Sequence, residues 1–375
     1  MSMASTAPSS PSDVARTLTR AIDAGGYRVV IGAGLRRDFA ECIVAAARAH
    51  TYAVISDDDV APLYGDAIVS ALAAHGRAVL LRMPAGELHK TRESWARLTD
   101  ELLAAGCGRD TTIVALGGGV VGDVAGFVAA TYMRGVPVVQ CPTSLLAMID
   151  ASVGGKTGVD TPAGKNLVGA FHPPAAVLVD VDTLRTLPAA HRRAGLAEAI
   201  KHGVIADAEY LSRIDSSMPA LLASEPDEML ALVSRSVEIK AAVVRSDERE
   251  HGLRRTLNFG HTLGHAIELV SGFSLLHGEA IAIGMVLEAR LAERIGVARG
   301  GTAAEIEAVL QRAGLPVQCP ASIDASAVLE ATRLDKKARA GTVTYALPKR
   351  LGAMAGADIG WAIAVDDEQV REVLA

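Results

Sequence analysis

Three histidines in the C-terminal half have a spacing suited to metal binding. The stretch LNFGHTLGHAIE places His261 and His265 four residues apart, and His277 follows in LLHGEAIAIG. Imidazoles on one face of a helix, with a third from the next helix, form an open metal site when a carboxylate joins them. The alternative is three hydrogen-bonded core histidines. Because Thr262 stands where HExxH requires glutamate, the pattern does not indicate a protease of that type.

A glycine-rich turn has the spacing of a nucleotide-binding motif. The apolar run from Thr111 to Leu116 leads directly into it, and Gly117, Gly119 and Gly122 give GxGxxG. Backbone N–H groups at the N-terminus of a following helix would bind phosphate there. The turn follows about the fourth predicted strand, and no acidic residue lies about 20 residues later, so it departs from the common dinucleotide fingerprint. Glycines needed only for a tight turn are the alternative.

Cationic side chains are concentrated in glycine-rich segments. Lys156 lies in SVGGKTGVD, Lys165 in PAGKNLVGAFH and Arg254 in DEREHGLRRTLN, while Lys201 follows Glu198 at helical spacing in LAEAIKHG. Most lysines and arginines of a protein are solvent-exposed. A cation in a glycine-rich, otherwise apolar loop needs an anionic partner, because its desolvation is costly. These segments therefore predict a ligand that carries phosphate, carboxylate or both.

The elements that position these residues follow two successive patterns. From Tyr27 to about Leu187, short β-branched runs alternate with amphipathic helical stretches, which is the βαβ rhythm of a parallel sheet. After Pro188, helical stretches with few glycines continue to about Gly314, and the run from Thr342 to Leu347 could add a strand. The pattern predicts an α/β protein with an N-terminal Rossmann-like nucleotide-binding domain and a C-terminal all-helical metal-binding domain.

The chain length supports two domains, because 375 residues exceed the usual size of one. We predict a disordered tail over residues 1–15, a nucleotide-binding α/β domain over 16–188, and a helical domain that binds metal and substrate over 189–375. The first dozen residues lack the basic start and apolar segment of a signal peptide, so a cytoplasmic location is expected.

Charge, cysteine content and hydropathy exclude several classes of protein. The net charge is −6 and no Lys/Arg run is interleaved with aromatic residues, which argues against nucleic acid as a partner. The four cysteines lack CxxC spacing and are expected to be small core residues. The most apolar stretch, Thr111 to Met133, contains glycines and Asp123, which disfavours a membrane span.

Several long segments together resemble those of the 3-dehydroquinate synthases, sugar-phosphate cyclases of the shikimate pathway. The resemblance runs from about Tyr27 to the C-terminal region, and its most specific segments are GGGVVGDVAGFVAATYMRG, PTSLLAMIDASVGGKTGVDTPAGKNLVGAF, AGLAEAIKHG, DEREHGLRRTLNFGHTLGHAIE and LHGEAIAIGM. It implies an active site in a cleft between the two domains. It also implies two cofactors, NAD and one divalent metal ion, Zn²⁺ or Co²⁺.

Transferred position by position, the resemblance implies particular site residues. The metal ligands would be Glu198, His261 and His277. The NAD contacts would be Asp57, Glu87, Lys90, Gly118, Gly119, Val120, Val121, Gly122, Asp123, Thr143, Ser144, Lys156, Lys165, Thr183 and Thr186. The substrate and catalytic contacts would be Arg134, Asp150, Lys156, Lys165, Asn166, Lys201, Lys240, Glu250, Arg254, Asn258, His265, Lys336 and Lys337. Arg134 resembles an arginine that enters the neighbouring subunit's site, which implies a homodimer.

The resemblance also implies a reaction with no net redox change. The small anionic substrate would be 3-deoxy-D-arabino-heptulosonate 7-phosphate. Transient oxidation at C5, elimination of phosphate, re-reduction and an intramolecular aldol step would yield 3-dehydroquinate. Lys201 and His265 would stabilise or relay the carbinol proton, and Lys240 and Arg254 would hold the carboxylate. The phosphate would be held by Lys156, Asn166, Asn258 and a lysine of the 336/337 pair.

Other assignments remain open from the sequence. An epi-valiolone or deoxy-inosose synthase would act on a substrate without a carboxylate and would not need Lys240 together with Arg254. An aminodehydroquinate synthase keeps the carboxylate and therefore stays an alternative. An iron-type polyol dehydrogenase would make net NADH and would need fewer anion-binding groups. A catalytically silent NAD- or metal-binding regulator would be expected to lack a metal ligand or a site lysine, and none is missing here.

Overall fold

The N-terminal half is a layered α/β structure. A computed structural model of the protein describes residues 19–162, 164–334 and 343–374, so the predicted tail over 1–15 lies outside the described residues. The strands of this half are β1 (Arg20–Asp23), β2 (Arg28–Gly32), β3 (Thr51–Asp57), β4 (Arg77–Met83), β5 (Thr111–Gly117), β6 (Val138–Pro142), β7 (Lys156–Thr161), β8 (Gly164–Phe171) and β9 (Ala176–Asp180). The helices between them are α1 (Phe39–Ala46), α2 (Asp66–Leu72), α3 (Arg92–Ala104) and α4 (Gly119–Thr131).

A seven-stranded sheet forms the centre of this half, in the order β1-β2-β9-β6-β5-β3-β4. All its strands are parallel except the edge strand β1, which pairs antiparallel with β2. Strands β5, β6 and β9 are buried along their whole length, as expected for a parallel sheet covered on both faces. Helices α1 and α2 pack on one face, and α3 and α4 pack on the other. The predicted α/β architecture is confirmed.

The order in which successive strands are added to the sheet reverses between β3 and β5. Strand β3 leads into α2 on one face of the sheet, whereas its neighbour β5 leads through the glycine turn into α4 on the other face. In open α/β sheets such a reversal opens a crevice beyond the carboxyl ends of the strands, and ligands bind there. The glycine turn therefore lies at the position where this architecture binds a nucleotide.

The segments around Lys156 and Lys165 form an antiparallel hairpin of β7 and β8, so the expectation of loops there was wrong. The glycines of these segments allow the two strands to approach each other closely, and they do not mark loops. Gly158 pairs with Gly169, and a Cβ added at Gly169 would lie 2.1 Å from the carbonyl oxygen of Thr157. The hairpin packs against α4.

The C-terminal half is mainly helical. Its helices are α5 (Ala189–Ala206), α6 (Ala208–Ser216), α7 (Met218–Leu222), α8 (Pro226–Ser246), α9 (His261–Val270), α10 (His277–Arg294), α11 (Thr302–Arg312), α12 (Ala325–Leu334) and α13 (Asp367–Leu374). Short strands β10 (Thr344–Tyr345), β11 (Pro348–Arg350), β12 (Ala353–Met354) and β13 (Ile363–Ala364) form two antiparallel pairs near the C-terminus. Strand β10 lies within the stretch where one late strand was expected.

A shared apolar core joins the sheet to the C-terminal helices. Val29 of β2 and Val177 of β9 belong to the same buried cluster as Ile200 of α5 and Val237 of α8. Each of these four side chains is fully buried. Because this core holds the edge of the sheet against α5 and α8, it fixes the position of the cleft between the two halves.

The cysteines are free thiols, with Cys107 and Cys141 buried and Cys42 and Cys319 partly buried, as expected for packing residues. Burial raises the pKa of the Cys141 thiol well above its ordinary value. Within the described ranges, no helix has the length and apolar character required to cross a bilayer.

Candidate active site

Three helices bring the candidate metal ligands together. The rings of His261 and His265 on α9 and His277 on α10 lie with their centroids 5.0 to 5.6 Å apart. Helix α5 adds Glu198, which is fully buried. Its Oε1 lies 3.5 Å from His261 Nε2 and 3.7 Å from His277 Nε2. Two imidazoles and one carboxylate therefore converge on one point.

The donor atoms of this cluster fit a divalent ion. Ligand atoms at 2.0 to 2.2 Å from a tetrahedral ion stand roughly 3.4 Å from each other, close to the separations around Glu198. Neither oxygen of Glu198 accepts a hydrogen bond from a described residue, although Lys201 Nζ forms an ion pair with Oε2. His261 Nδ1 lies 3.1 Å from the backbone carbonyl oxygen of Phe259, in the turn before α9. The other ring nitrogen, Nε2, is therefore the one directed at the cluster.

Helices α9 and α10 must pack closely for their histidines to meet. A Cβ added at Gly284 of α10 would lie 2.1 Å from the carbonyl oxygen of Gly260, at the start of α9. The carboxylate of Glu288, on the same helix, is fully buried and accepts hydrogen bonds from the backbone N–H groups of Gly260 at 2.6 Å and Leu263 at 3.0 Å. Because the first N–H groups of a helix have no partner within it, Glu288 satisfies them and fixes the turn that carries His261.

A second layer of buried charge lies behind Glu198. Lys240 of α8 donates to Asp150 Oδ1 at 2.6 Å and to the backbone carbonyl of the same residue. Burial opposes the negative charge of Asp150, but Lys240 and Lys201 hold the pKa of its carboxyl far below the ordinary value. Fully buried His202 completes the group, and burial together with Lys201 lowers its pKa to about 3, so this imidazole is neutral near pH 7.

Arg254 lies in the same cleft and is buried. Its guanidinium donates to the carbonyl oxygens of Glu248 at 2.6 Å and Gly154 at 3.3 Å. Burial lowers its pKa, while the nearby carboxylates of Glu250 and Asp150 oppose that effect. Its positive charge also contributes to lowering the pKa of Lys240, which is lowered mainly by burial.

Arg254 precedes α9 and is not part of that helix. Arg254 belongs to a short 3₁₀ segment, Leu253–Asn258, and α9 begins only at His261. Gly260 adopts a left-handed conformation with φ 78°, which breaks the helical path between them. Arg254 reaches the cleft through this bent segment rather than along a continuous helix face.

The candidate phosphate ligands separate into two places. Lys156 forms an ion pair with Glu250, and Asn258 Nδ2 donates to the other oxygen of that carboxylate at 2.6 Å. Asn166 instead lies near the turn of the hairpin, and its backbone N–H donates to Asp160 Oδ1 at 2.7 Å. Lys156 is at the open end of the hairpin, so the structure does not group it with Asn166. Lys336 and Lys337 lie outside the described residues.

The crevice contains the candidate nucleotide contacts. Helix α4 begins after Gly118 without a side-chain cap, so its N-terminal N–H groups face the crevice. Ser144 stands opposite, since its Oγ would lie 3.5 Å from a Cβ on Gly118, and Thr143 N donates to Gly117 O at 2.9 Å. Asp57 ends β3 on the other side, and burial raises the pKa of its carboxyl. Val120, Val121 and Gly122 follow in the first turns of α4.

The remaining candidate nucleotide contacts surround this turn. Lys90 Nζ donates to Asp123 Oδ2 at 2.5 Å; burial opposes its charge, but Asp123 and Glu87 raise its pKa. Thr186 Oγ1 lies 2.6 Å from the hydroxyl of Tyr64, and Thr183 Oγ1 donates to the carbonyl oxygen of Asp180, the last residue of β9.

Most of the chain matches sequence models of one enzyme family. Residues 80–194 match the model of the 3-dehydroquinate synthase N-terminal domain, and residues 195–338 match that of its C-terminal domain. A 3-dehydroquinate synthase from Synechococcus sp. is 47% identical over 326 residues, which cover 86% of this chain and 87% of that protein. The chain belongs to the 3-dehydroquinate synthase family.

Solved structures of related cyclases share the whole architecture. A 2-deoxy-scyllo-inosose synthase, in complex with carbaglucose-6-phosphate, NAD⁺ and Co²⁺, is 26% identical with a TM-score of 0.87, covering 95% of this chain and 99% of that one. A 2-epi-5-epi-valiolone synthase from Streptomyces hygroscopicus, with NAD⁺ and Zn²⁺ bound, is 30% identical with a TM-score of 0.82, covering 95% and 97%. The family therefore shares its fold with cyclases that were solved with a nucleotide and a metal ion.

Arg134 lies at the surface, beyond the end of α4, with a left-handed backbone at φ 70°.

Three buried residues in or against the cleft were not predicted from the sequence: Glu268, Glu288 and His202. A signal for Glu268 was available, because it follows His261 by seven residues and His265 by three, so it lies on the same face of α9.

Proposed function

We propose that this chain is a 3-dehydroquinate synthase. It converts 3-deoxy-D-arabino-heptulosonate 7-phosphate into 3-dehydroquinate and phosphate without net oxidation, as a carbon–oxygen lyase that uses NAD and one divalent metal ion. The observation that carries the proposal is the position of two buried cations, Lys240 and Arg254, in the cleft that contains Glu198 and its histidines. Family membership restricts the reaction, and these two cations select a substrate with a carboxylate.

The carboxylate is the feature that separates this substrate from those of related cyclases. Arg254 and Lys240 are both nine-tenths or more buried, and each is partly compensated by oxygen atoms of the protein. Retaining two cations at this depth is costly unless the bound ligand supplies negative charge. A substrate without a carboxylate would leave both cations without that charge, so an inosose or valiolone synthase fits the cleft less well.

Glu198, His261 and His277 would hold the metal ion, and the crevice beside the glycine turn would hold NAD. When bound, the ion supplies Lewis-acid polarisation of substrate oxygens, and NAD supplies an oxidation that is reversed within each turnover. Lys201 lies against the metal cluster through its ion pair with Glu198 and would stabilise the alkoxide form of the substrate carbinol. His265, whose ring is 5.0 Å from that of His261, would relay the carbinol proton toward solvent.

The phosphate group would be bound at the other side of the cleft. Lys156 and Asn258 both contact Glu250, and a phosphate would replace that carboxylate as the partner of the lysine. Because a phosphate oxygen of the substrate can accept the proton removed during elimination, no separate protein base is required. The contribution of the protein is therefore mainly positioning and electrostatic stabilisation.

We also propose four further features that the resemblance and the sequence pattern predict. These are a nucleotide-binding domain over 16–188, a metal- and substrate-binding domain over 189–375, a cytoplasmic location, and a homodimer in which Arg134 reaches the partner's site. The exposure of Arg134 supports a role outside its own cleft.

A comparison of substrates tests the proposal. Purified enzyme, loaded with Zn²⁺ or Co²⁺ and NAD, is incubated separately with the heptulosonate phosphate, its amino analogue and glucose 6-phosphate. We expect rapid phosphate release only from the heptulosonate phosphate, with 3-dehydroquinate identified by mass and ultraviolet absorption. Preference for glucose 6-phosphate would assign the chain to a carboxylate-independent cyclase, and preference for the amino analogue would assign it to the aminodehydroquinate synthases.

A further inference from the structure

A buried carboxylate on α9 contacts a metal-ligand candidate and the β-hairpin at the same time. The side chain of Glu268 is 6% exposed. Its Oε2 lies 3.5 Å from His277 Nδ1, and its Oε1 accepts a hydrogen bond from Lys165 Nζ at 3.0 Å. The two oxygens of one carboxylate therefore connect α10 to β8.

Lys165 extends this contact into the nucleotide-binding half. Its Nζ also lies 3.1 Å from Glu87 Oε1, in the segment after β4, and 4.7 Å from the centre of the Phe273 ring. Lys165 thus stands between two carboxylates, one from each half of the chain. The Phe273 ring lies beside the Lys165 ammonium at a distance at which the ring attracts a cation.

We propose that Glu268 is a positioning residue that orients the His277 ring for metal binding and couples the metal site to Lys165 of the hairpin. The inference rests on the proposed function, because it takes His277 to be a metal ligand. With a metal ion bound, a carboxylate at Nδ1 would keep the remaining proton on that nitrogen and leave the lone pair of Nε2 for the ion. Nε2 is the atom that faces Glu198 Oε1 at 3.7 Å.

The same geometry couples the metal site to the nucleotide crevice. A ligand that displaces Lys165 would remove one partner of Glu268, and so would alter the position of this carboxylate beside His277. Glu87, the other partner of Lys165, is a candidate nucleotide contact. Because coupling between two binding sites is reciprocal, nucleotide should alter metal affinity by the same factor as metal alters nucleotide affinity.

The test compares Glu268→Gln with wild type in metal-free protein. Zn²⁺ affinity is measured by competition with a chromophoric chelator, and Co²⁺ binding by its visible absorption spectrum. We expect Zn²⁺ affinity to fall about 10- to 100-fold and the Co²⁺ bands to shift, because the ligand ring loses its orienting carboxylate. Glu293→Gln is the control, since Glu293 lies at the end of α10 opposite to His277 and accepts a hydrogen bond from Ala303 N of α11 at 2.8 Å. It should leave both measurements unchanged.

Lys165→Met separates the orienting role from general packing and covers the case in which Glu268→Gln does not fold. We expect Lys165→Met to change Zn²⁺ affinity measurably, and its effect to be smaller when Glu268 is already replaced. NAD titrations with and without Zn²⁺ should show a coupling factor in wild type that both variants reduce. Unaltered Zn²⁺ affinity in Glu268→Gln, or in Lys165→Met if the first variant is unfolded, would overturn the inference. Wild-type protein that binds no Zn²⁺ would instead overturn the proposed function.

Discussion

Lys201 neutralises Glu198 from the same helix. The two residues lie three positions apart on α5, their side chains are 1% and 0% exposed, and Nζ contacts Oε2. The other oxygen, Oε1, faces the imidazoles of His261 and His277. In metal-free protein the lysine is thus the cation closest to this carboxylate, and a bound divalent ion would share that role.

Lys201→Met should therefore destabilise the metal-free protein more than the metal-loaded one. Removal of one member of a buried ion pair costs about 3 to 5 kcal/mol, because it leaves the other charge uncompensated. Bound Zn²⁺ would compensate Glu198 in place of the lysine. Urea unfolding of both proteins, with and without saturating Zn²⁺, measures the difference. An equal loss of stability in both states would show that Glu198 does not contact the metal.

Arg254→Ala should reduce kcat/KM for the heptulosonate phosphate by an amount corresponding to about 2 to 5 kcal/mol, the usual loss when a charge-assisted contact in a closed site is removed. Arg254→Lys should also be clearly impaired, because an ammonium cannot form two parallel hydrogen bonds to a carboxylate. Metal content and NAD affinity should not change. Arg255→Lys is the matched control, since this neighbour is less buried and its guanidinium makes a long contact, 3.5 Å, to Gly360 O. Activity of Arg254→Ala within about twofold of wild type would refute the assignment.

The Asp150–Lys240 pair should make stability depend on pH in the acid range. The folded pKa of Asp150 lies far below its unfolded value of about 3.9, so the pair stabilises the fold above that value and this contribution is lost as the pH falls below it. Asp150→Asn should thus cost about 3 kcal/mol at pH 7 and progressively less below about pH 4. Urea unfolding across this range measures it, with exposed Asp100→Asn as the control. A cost that does not vary with pH would contradict an ionised Asp150.

Arg134 should act on the neighbouring subunit of a homodimer. Arg134→Ala and Glu198→Gln should each be inactive alone, the first through loss of a substrate contact and the second through loss of a metal ligand. When the two variants are mixed and their subunits exchange, about half of the dimers would contain one variant of each kind. Each mixed dimer would have one complete site out of two, so about a quarter of wild-type activity should return. No recovery on mixing, or a fully active monomer in sedimentation, would be inconsistent with this role.

Local periodicity predicted the parts of the site that lie within single elements. The i, i+4 spacing placed His261 and His265 on one face, and the i, i+3 spacing placed Glu198 beside Lys201, as found in the structure. The αβ rhythm also predicted the sheet and the position of the glycine turn. These features follow from the periodicity of residues within one helix or strand, which can be read directly from the sequence.

The incorrect expectations concern features that depend on distant parts of the chain. Lys156 and Lys165 were expected in loops because glycine usually marks loops, yet their strands pair through the mutual approach of Gly158 and Gly169. The four residues of β1 are too short to be recognised without β2 beside them. The role of Glu268 depends on Lys165, 103 residues away. Such contacts are determined by tertiary packing rather than by local propensity.

The proposed reaction depends on a metal ion and uses NAD without consuming it. We would follow phosphate release and absorbance at about 340 nm in one cuvette, with metal-free enzyme, substoichiometric NAD and the heptulosonate phosphate, and then add Zn²⁺ or Co²⁺. We expect no reaction before the metal is added, and afterwards release of one phosphate per substrate with no accumulation of NADH. Stoichiometric NADH formation without phosphate release, or full turnover by metal-free enzyme, would contradict this proposal.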